Sequence, residues 1–441
     1  MRRLVGLGIL IGLFVLGGSE VRLAAAPPTD GQSTEAATGH LIAVVGASIA
    51  SLDGRPPLHD AVVLIDGERI KSVGPAASTS IPSGARIVRA DHKWLIPGLI
   101  NMHVHLDLIL PGTSGSALAN ESDAGRALRM AENARLSLES GVTTVRLVGT
   151  RDGTDFALKD AIDHGTAIGP RIFTAGEILG TTGGHGIRPG QGLDGPYEVA
   201  KGVREQIRRG ATWIKLAISG GIADSHGAIG ASEMSVEELR AAVEAAHQRG
   251  VKVTAHASSA AAINDAIDAG IDCIEHGFLL NEPVIRKMKD KGVYLVPTIV
   301  VTQAGAMEFF RKIGSPDWYL ARVASVGKVH WAALQYAIKV GVAIVLGTDQ
   351  FPFEPNEGTT ATVREAELYV EAGMTPLRAV RAATIEPARL LGAENDLGQI
   401  ADGKYADIDA VDADPTADIH ALRSIHLVIK GGQVVRNDWA P

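Results

Sequence analysis

The sequence predicts an α/β fold: a TIM-type (β/α)8 barrel carrying a small β-sandwich built from both chain ends. Three features of the 441 residues point there. The middle of the chain alternates apolar strand-like runs with helical patterns, about thirty residues per unit, as parallel strands joined by helices do. Both ends are strand-rich instead. The length suffices for one barrel of about 250 residues and a smaller second unit.

Taken in order, residues 1–26 read as a signal peptide. Arg2 and Arg3 precede an apolar run at 4–16, and Leu23-Ala24-Ala25-Ala26 offers small residues for cleavage. That run is shorter than the roughly 20 residues of a membrane span. The expectation is export to the periplasm or beyond, with no stable span after processing. An uncleaved anchor is the competing reading. Residues 27–96, with LIAVVGASIA, AVVLIDGERIKSVG and ARIVRA, and residues 393–441, with YADIDAVDA and IHLVIKGGQVV, are expected to pair into the composite β-sandwich.

Residues 97–392 form the expected barrel. Its eight strand candidates are LIPGLINMHVH, VTTVRLVG, RIFTAG, TWIKLAI, KVTAHA, CIEHG, YLVPTI and AIVLGTD. Among the helices, Ser235 with Glu238 makes a capping box. Leu239, Val243 and Ala246 line one face of that helix and Gly250 closes it. Thr375-Pro376 opens another, with Pro at the first helical position. An open doubly wound sheet would give a similar pattern, but no G-x-G-x-x-G follows the first strand.

The balance of charge, −8 with 46% hydrophobic and 21% charged residues, shows no basic stripe and excludes a nucleic-acid partner. The single cysteine, Cys273, rules out an intramolecular disulfide and a Cys-rich zinc module. No G-x-S-x-G elbow supports a serine hydrolase.

Chemistry-bearing residues gather at one end of the candidate strands, the C-terminal end where barrel active sites form. His103 and His105 close strand one, and a spacing of two puts both on one strand face. Lys215 lies in strand four among apolar residues. His256 ends strand five, His276 ends strand six and Asp349 ends strand eight. A lone histidine at a strand end is usually structural. Four imidazoles, a carboxylate and a lysine at one rim suit Zn²⁺ or a similar borderline metal. Further candidates are His185 in the glycine-rich loop GTTGGHG, His226 in the loop after strand four, Met234 just before the helix opened by Ser235, and His330 in a helix.

The segments PGLINMHVHLDL, VTAHA, IEHG, GTD and GQIADGKYADIDAVDADP, with Lys215 in strand four, resemble the amidohydrolase superfamily over nearly the whole mature chain. TTGGHG and EAGMTPLRAVRAAT place the resemblance nearest the imidazolonepropionase-like and Xaa-Pro dipeptidase-like branch. It implies a hydrolase with two divalent metal ions, zinc by expectation. His103, His105 and Asp349 would hold the buried metal and His256 and His276 the outer one. Lys215, carboxylated by CO2, would bridge them. A lysine in apolar surroundings loses basicity, and its neutral amine can form a carbamate. Asp349 would be the general base that deprotonates a metal-bridged water and passes the proton on. His185 would hydrogen-bond the substrate carbonyl, and His226, His330 and Met234 would contact substrate.

The implied substrate is a small amide: a dipeptide, Xaa-Pro or with another C-terminal residue, or an N-acyl amino acid. Where dipeptide-cleaving relatives are expected to place a tyrosine, Met234 stands. That favours a more apolar substrate, so a cyclic amide or bulky aryl amide or ester is the alternative. A mononuclear deaminase on the same barrel is a third reading, which Lys215 opposes. A non-catalytic binding protein is a fourth. Such enzymes often assemble as homo-oligomers.

Overall fold

The computed structural model describes residues 41–439. The proposed signal peptide and residues 27–40 lie outside the described residues.

The amino-terminal strands β1 (Leu41–Ile49), β2 (Leu58–Asp66), β3 (Arg69–Pro75), β4 (Arg86–Arg89) and β5 (Trp94–Pro97) build the small domain. They join three strands from the other end of the chain, β15 (Ile408–Val411), β16 (Leu427–Lys430) and β17 (Gln433–Asn437), in the order β17-β16-β15-β5-β1-β2-β3, with β4 also paired to β1. Alternating apolar residues from both ends, among them Val44, Val63, Ile65, Leu95, Ile408 and Ile429, fill a core separate from that of the barrel. The two ends of the chain therefore complete one β-sandwich, more than 300 residues apart in sequence but hydrogen-bonded across β5 and β15.

Between them, β6 (Leu99–Val104), β7 (Val142–Leu147), β8 (Arg171–Thr174), β9 (Trp213–Ala217), β10 (Lys252–Ser259), β11 (Cys273–Leu279) and β12 (Tyr294–Val296) are the first seven staves of the barrel. The ladders β6-β7-β8 and β9-β10-β11-β12 are parallel. A bridge between Leu179 and Leu216 joins the two groups. The eighth stave is residues 343–349. It has no regular ladder, but Ile344 bridges Leu295 of β12, Met102 N donates to Leu346 O at 2.8 Å, and Asp349 N donates to His103 O at 2.9 Å. The hairpin β13 (Pro355–Asn356) and β14 (Thr359–Thr360) follows it.

Two sequence expectations are refined. LIPGLINMHVH is two elements, because Gly98 divides it: LIP lies in β5 of the sandwich and only the remainder enters the barrel. A Cβ at Gly98 would meet the Thr143 side chain at 2.3 Å, so β7 packs too close there for any side chain. AIVLGTD is a stave held by isolated hydrogen bonds rather than a full strand. The helix Val236–His247 has the predicted capping box from Ser235 and Glu238, and Leu239, Val243 and Ala246 are buried. Thr375 caps the helix Pro376–Ala382.

Candidate active site

Strand alternation turns Trp213 and Lys215 of β9, Thr254 and His256 of β10, and Cys273 and Glu275 of β11 toward the barrel axis. The lower of these pack into the barrel floor; the upper ones reach a cavity of about 290 Å³ at the C-terminal rim. His103, His105, Lys215, His256, His276 and Asp349 all line that cavity.

Two of them reach it through unusual backbone. His276 follows the inward Glu275 and would point outward in a regular strand. Its φ of 66° reverses it into the cavity. Asp349 has φ 51° at the end of the eighth stave. Left-handed conformations at non-glycine residues cost of order 1–3 kcal/mol each and persist where the surroundings impose them.

His103 Nε2 lies 3.2 Å from His105 Nε2 and 3.2 Å from Asp349 Oδ1, and His105 Nε2 is 3.4 Å from the same oxygen. These three form a group whose donor atoms all fall within 4.8 Å of one another. Two close nitrogens against one carboxylate oxygen is the arrangement a cation relieves. The His276 ring stands 4.8 Å from His103 and 4.6 Å from His256, centroid to centroid.

Each ring is oriented from behind. His103 Nδ1 donates to Glu275 Oε2 at 2.7 Å, His105 Nδ1 donates to Gly149 O at 2.8 Å, and His276 Nδ1 pairs with Thr298 Oγ1 at 2.8 Å. In all three, Nε2 is left for the cavity, the pattern of metal-ligating histidines whose second nitrogen is tied down. His256 is turned the other way: its Nε2 approaches Gly220 O at 3.4 Å, leaving Nδ1 as its available donor.

Burial holds His105, His256 and His276 below the usual histidine pKa, keeping their imidazoles neutral. Lys215 is 2% exposed, and burial brings its pKa down to about 8 despite Glu275 and Asp349. Burial pushes the Asp349 carboxyl up, but His103, His105 and Lys215 outweigh it and hold the group ionised.

Beneath the cavity lies a charge pair that sequence reasoning missed. Arg146 of β7 and Glu275 of β11 are both fully buried and ion-paired. The guanidinium also donates to Met102 O at 2.7 Å and stacks 4.5 Å over the Trp213 ring. Glu275 in turn accepts from Thr254 and His103. Burial would raise its pKa; Arg146 and His103 overcome that and bring it to about 2. The available signal was an acid beside a histidine inside an apolar strand, CIEHG.

Of the four substrate-contact candidates, only His185 lines the cavity among the described residues. Its ring stacks on His256 at 3.9 Å, and its Nδ1 donates to Asp224 Oδ2 at 2.7 Å. The other three do not line it. His226 sits on an exposed stretch of the loop. Met234 turns into the packing between barrel and helices. His330 lies behind the site, with Nδ1 on Thr302 Oγ1 and Nε2 on the His276 carbonyl, so it supports the strained His276 backbone.

The profile of the Amidohydrolase family matches residues 94–435, which spans the barrel, the rim residues and the returning strands. This chain belongs to the amidohydrolase family. The amidohydrolase is 32% identical over 421 residues to ochratoxinase of Aspergillus niger, covering 87% of this chain and 84% of that one. It also resembles the crystal structure of a Xaa-Pro dipeptidase with methionine bound in the active site, at TM-score 0.81 and 30% identity, covering 90% and 100% of the two chains. The crystal structure of A. niger ochratoxinase superposes at TM-score 0.77 and 31% identity, covering 91% and 97%. The protein is accordingly an enzyme of hydrolytic amide cleavage on a TIM-type barrel.

Proposed function

We propose that this amidohydrolase is a binuclear metal-dependent hydrolase that acts outside the cytoplasm on dipeptides or N-acyl amino acids. The observation that carries this reading is the convergence of His103, His105, Lys215, His256, His276 and Asp349 on one cavity. The donor set fits two borderline divalent ions. His103, His105 and Asp349 would hold the inner one, His256 and His276 the outer. Lys215 is buried and has a lowered pKa, which suits carbamate formation and a bridging anionic ligand. When bound, a pair of such ions acidifies water to a nucleophile at neutral pH and polarises a carbonyl.

The chain's own groups do the rest. Asp349 stays ionised beside His103 and His105, so it can take a proton from the attacking water and deliver it to the leaving nitrogen. Asp224 fixes the His185 ring, leaving Nε2 to meet the substrate carbonyl. Leu108, Ile109, Leu110, Ile178 and Phe310 wall the cavity and exclude water from the reacting centre.

The named relatives support an amide with an amino acid on one side: one is a Xaa-Pro dipeptidase whose structure carries a bound methionine. The apolar wall and the likeness to ochratoxinase favour a second reading, a bulky aryl amide.

Metal analysis tests the mechanism: about two ions per chain are expected, with Lys215→Ala losing metal and activity together. Retention of either by the variant removes the bridging role. A screen of the metal-loaded enzyme against Xaa-Pro dipeptides, N-acyl amino acids and aryl amides decides the substrate class.

A further inference from the structure

Tyr319 is only 2% exposed, yet it borders the active-site cavity. Buried tyrosine hydroxyls ordinarily have a hydrogen-bond partner. Among the described residues no protein group hydrogen-bonds this one, and the oxygen is not sealed in the interior but opens on the cavity. The ring is pinned edge-on against Phe310, centroids 5.0 Å apart at 85°, so the hydroxyl has a fixed place. Burial, with the Asp349 charge adding to it, holds the phenol above its ordinary pKa; it is a donor and not a base.

Its position in the cavity follows from the topology. Tyr319 belongs to the helix Asp317–Val340, in the chain that follows β12. β12 lies beside the eighth stave, which ends at Asp349. His185 comes from the loop after β8 and stacks on His256. The Asp349 charge acts on the Tyr319 phenol, so the hydroxyl lies near Asp349, while Arg322 one turn along the helix donates to Gly221 O at 2.7 Å beside His185. If Asp349 delivers the proton to the leaving nitrogen, the amine half of the substrate lies there too. A hydrogen-bond acceptor on that half would meet the free hydroxyl. Met234, at the position the sequence assigned to substrate, is buried in the core and supplies no contact. At the mouth, Arg151 lines the cavity with no ion-pair partner among the described residues, whereas Arg188 is paired to Asp152 at 2.8 Å. The backbone N–H of Arg151 is anchored on Asp107 Oδ2 at 3.2 Å, so an uncommitted cation is held at the entrance.

We propose that Tyr319 is a specificity-determining residue whose hydroxyl donates a hydrogen bond to the free carboxylate of the amino acid released from the amine side. This rests on the amide-hydrolase reading above. The preferred substrates are then acyl amino acids and peptides with a free C-terminus, not simple amides.

The test is Tyr319→Phe, which keeps the ring against Phe310 and removes one oxygen. Metal-loaded wild type and variant are compared on N-acetyl-L-phenylalanine and on N-acetylphenethylamine, which lacks the carboxylate. The variant should lose about tenfold or more in kcat/KM on the acid, as expected for a lost bond to a charged acceptor, and less than twofold on the decarboxylated amide. Product inhibition gives the second readout: L-phenylalanine should inhibit the variant at least fivefold more weakly, with inhibition by phenethylamine unchanged. Equal losses on both substrates, or no loss on either, overturn the assignment while leaving the hydrolase reading intact. A wild type that turns over neither compound and binds neither product overturns both the assignment and the acyl-amino-acid substrate reading on which it rests.

Discussion

Glu275 and His276 are neighbours in sequence, and in a regular strand their side chains would part to opposite faces. Here both serve one site, because His276 adopts φ 66° and turns back inward. Glu275 then orients His103 from below while Arg146 compensates its charge. Glu275→Gln should weaken metal binding by about 10–100-fold, as loss of a carboxylate behind a ligating histidine does. It should also destabilise the fold by about 3–5 kcal/mol, because Arg146 is left buried and unpaired. The double variant Arg146→Met/Glu275→Gln separates the two effects: thermal stability should recover and metal affinity should not. Recovery of both would mean that Glu275 matters for packing alone.

At the scale of elements, the helix Val236–His247 fastens the loops over the site. Ser235 accepts from Glu238 N, and Glu238 reaches back to Ser235 N at 2.7 Å and across to Gly195 N at 2.8 Å. Just ahead of the cap, Glu233 accepts from His185 N at 2.8 Å. Ser235→Ala should cost about 1 kcal/mol in urea unfolding, with a larger relative fall in activity than in stability if His185 is held through this segment. The capping box was readable from residue types three apart. Its tie to His185 was not, since that depends on two loops meeting. The same distinction explains the ligand-contact candidates. His185, flanked by glycines, reaches the cavity, while the equally polar His226 and His330 are displaced by loop exposure and by the His276 backbone.

For the molecule as a whole, the returning C-terminal segment ADIDA does more than complete the sandwich. Gly98 N donates to Asp407 O at 2.9 Å, and Leu99 N approaches Asp409 Oδ2 at 3.3 Å, so the segment pins the start of β6, the stave that ends in His103 and His105. Burial raises the Asp409 pKa well above normal, with the Leu99 hydrogen bond opposing. The folded state thus holds a proton that the unfolded chain releases near pH 3.9. The resulting stabilisation is complete below that pH and is lost as pH rises through the elevated folded value. Asp409→Asn keeps the acceptor for Leu99 and removes the titration. Its stability relative to wild type should therefore increase from pH 4 to pH 8 in denaturant unfolding; a constant difference across that range would contradict the buried-acid account.

Local sequence determined much of this protein. Strand-and-helix alternation, caps, and rim residues at strand ends were enough to place a barrel, a sandwich from both termini and six cavity side chains, because periodicity and burial act over a few residues. The tertiary structure alone decided which neighbouring loops face the cavity, that Glu275 and Arg146 form a buried support under His103, and that Tyr319 projects an unpaired hydroxyl beside Asp349. Those outcomes depend on a backbone reversed at single residues and on contacts between segments far apart in the chain, neither of which leaves a local pattern.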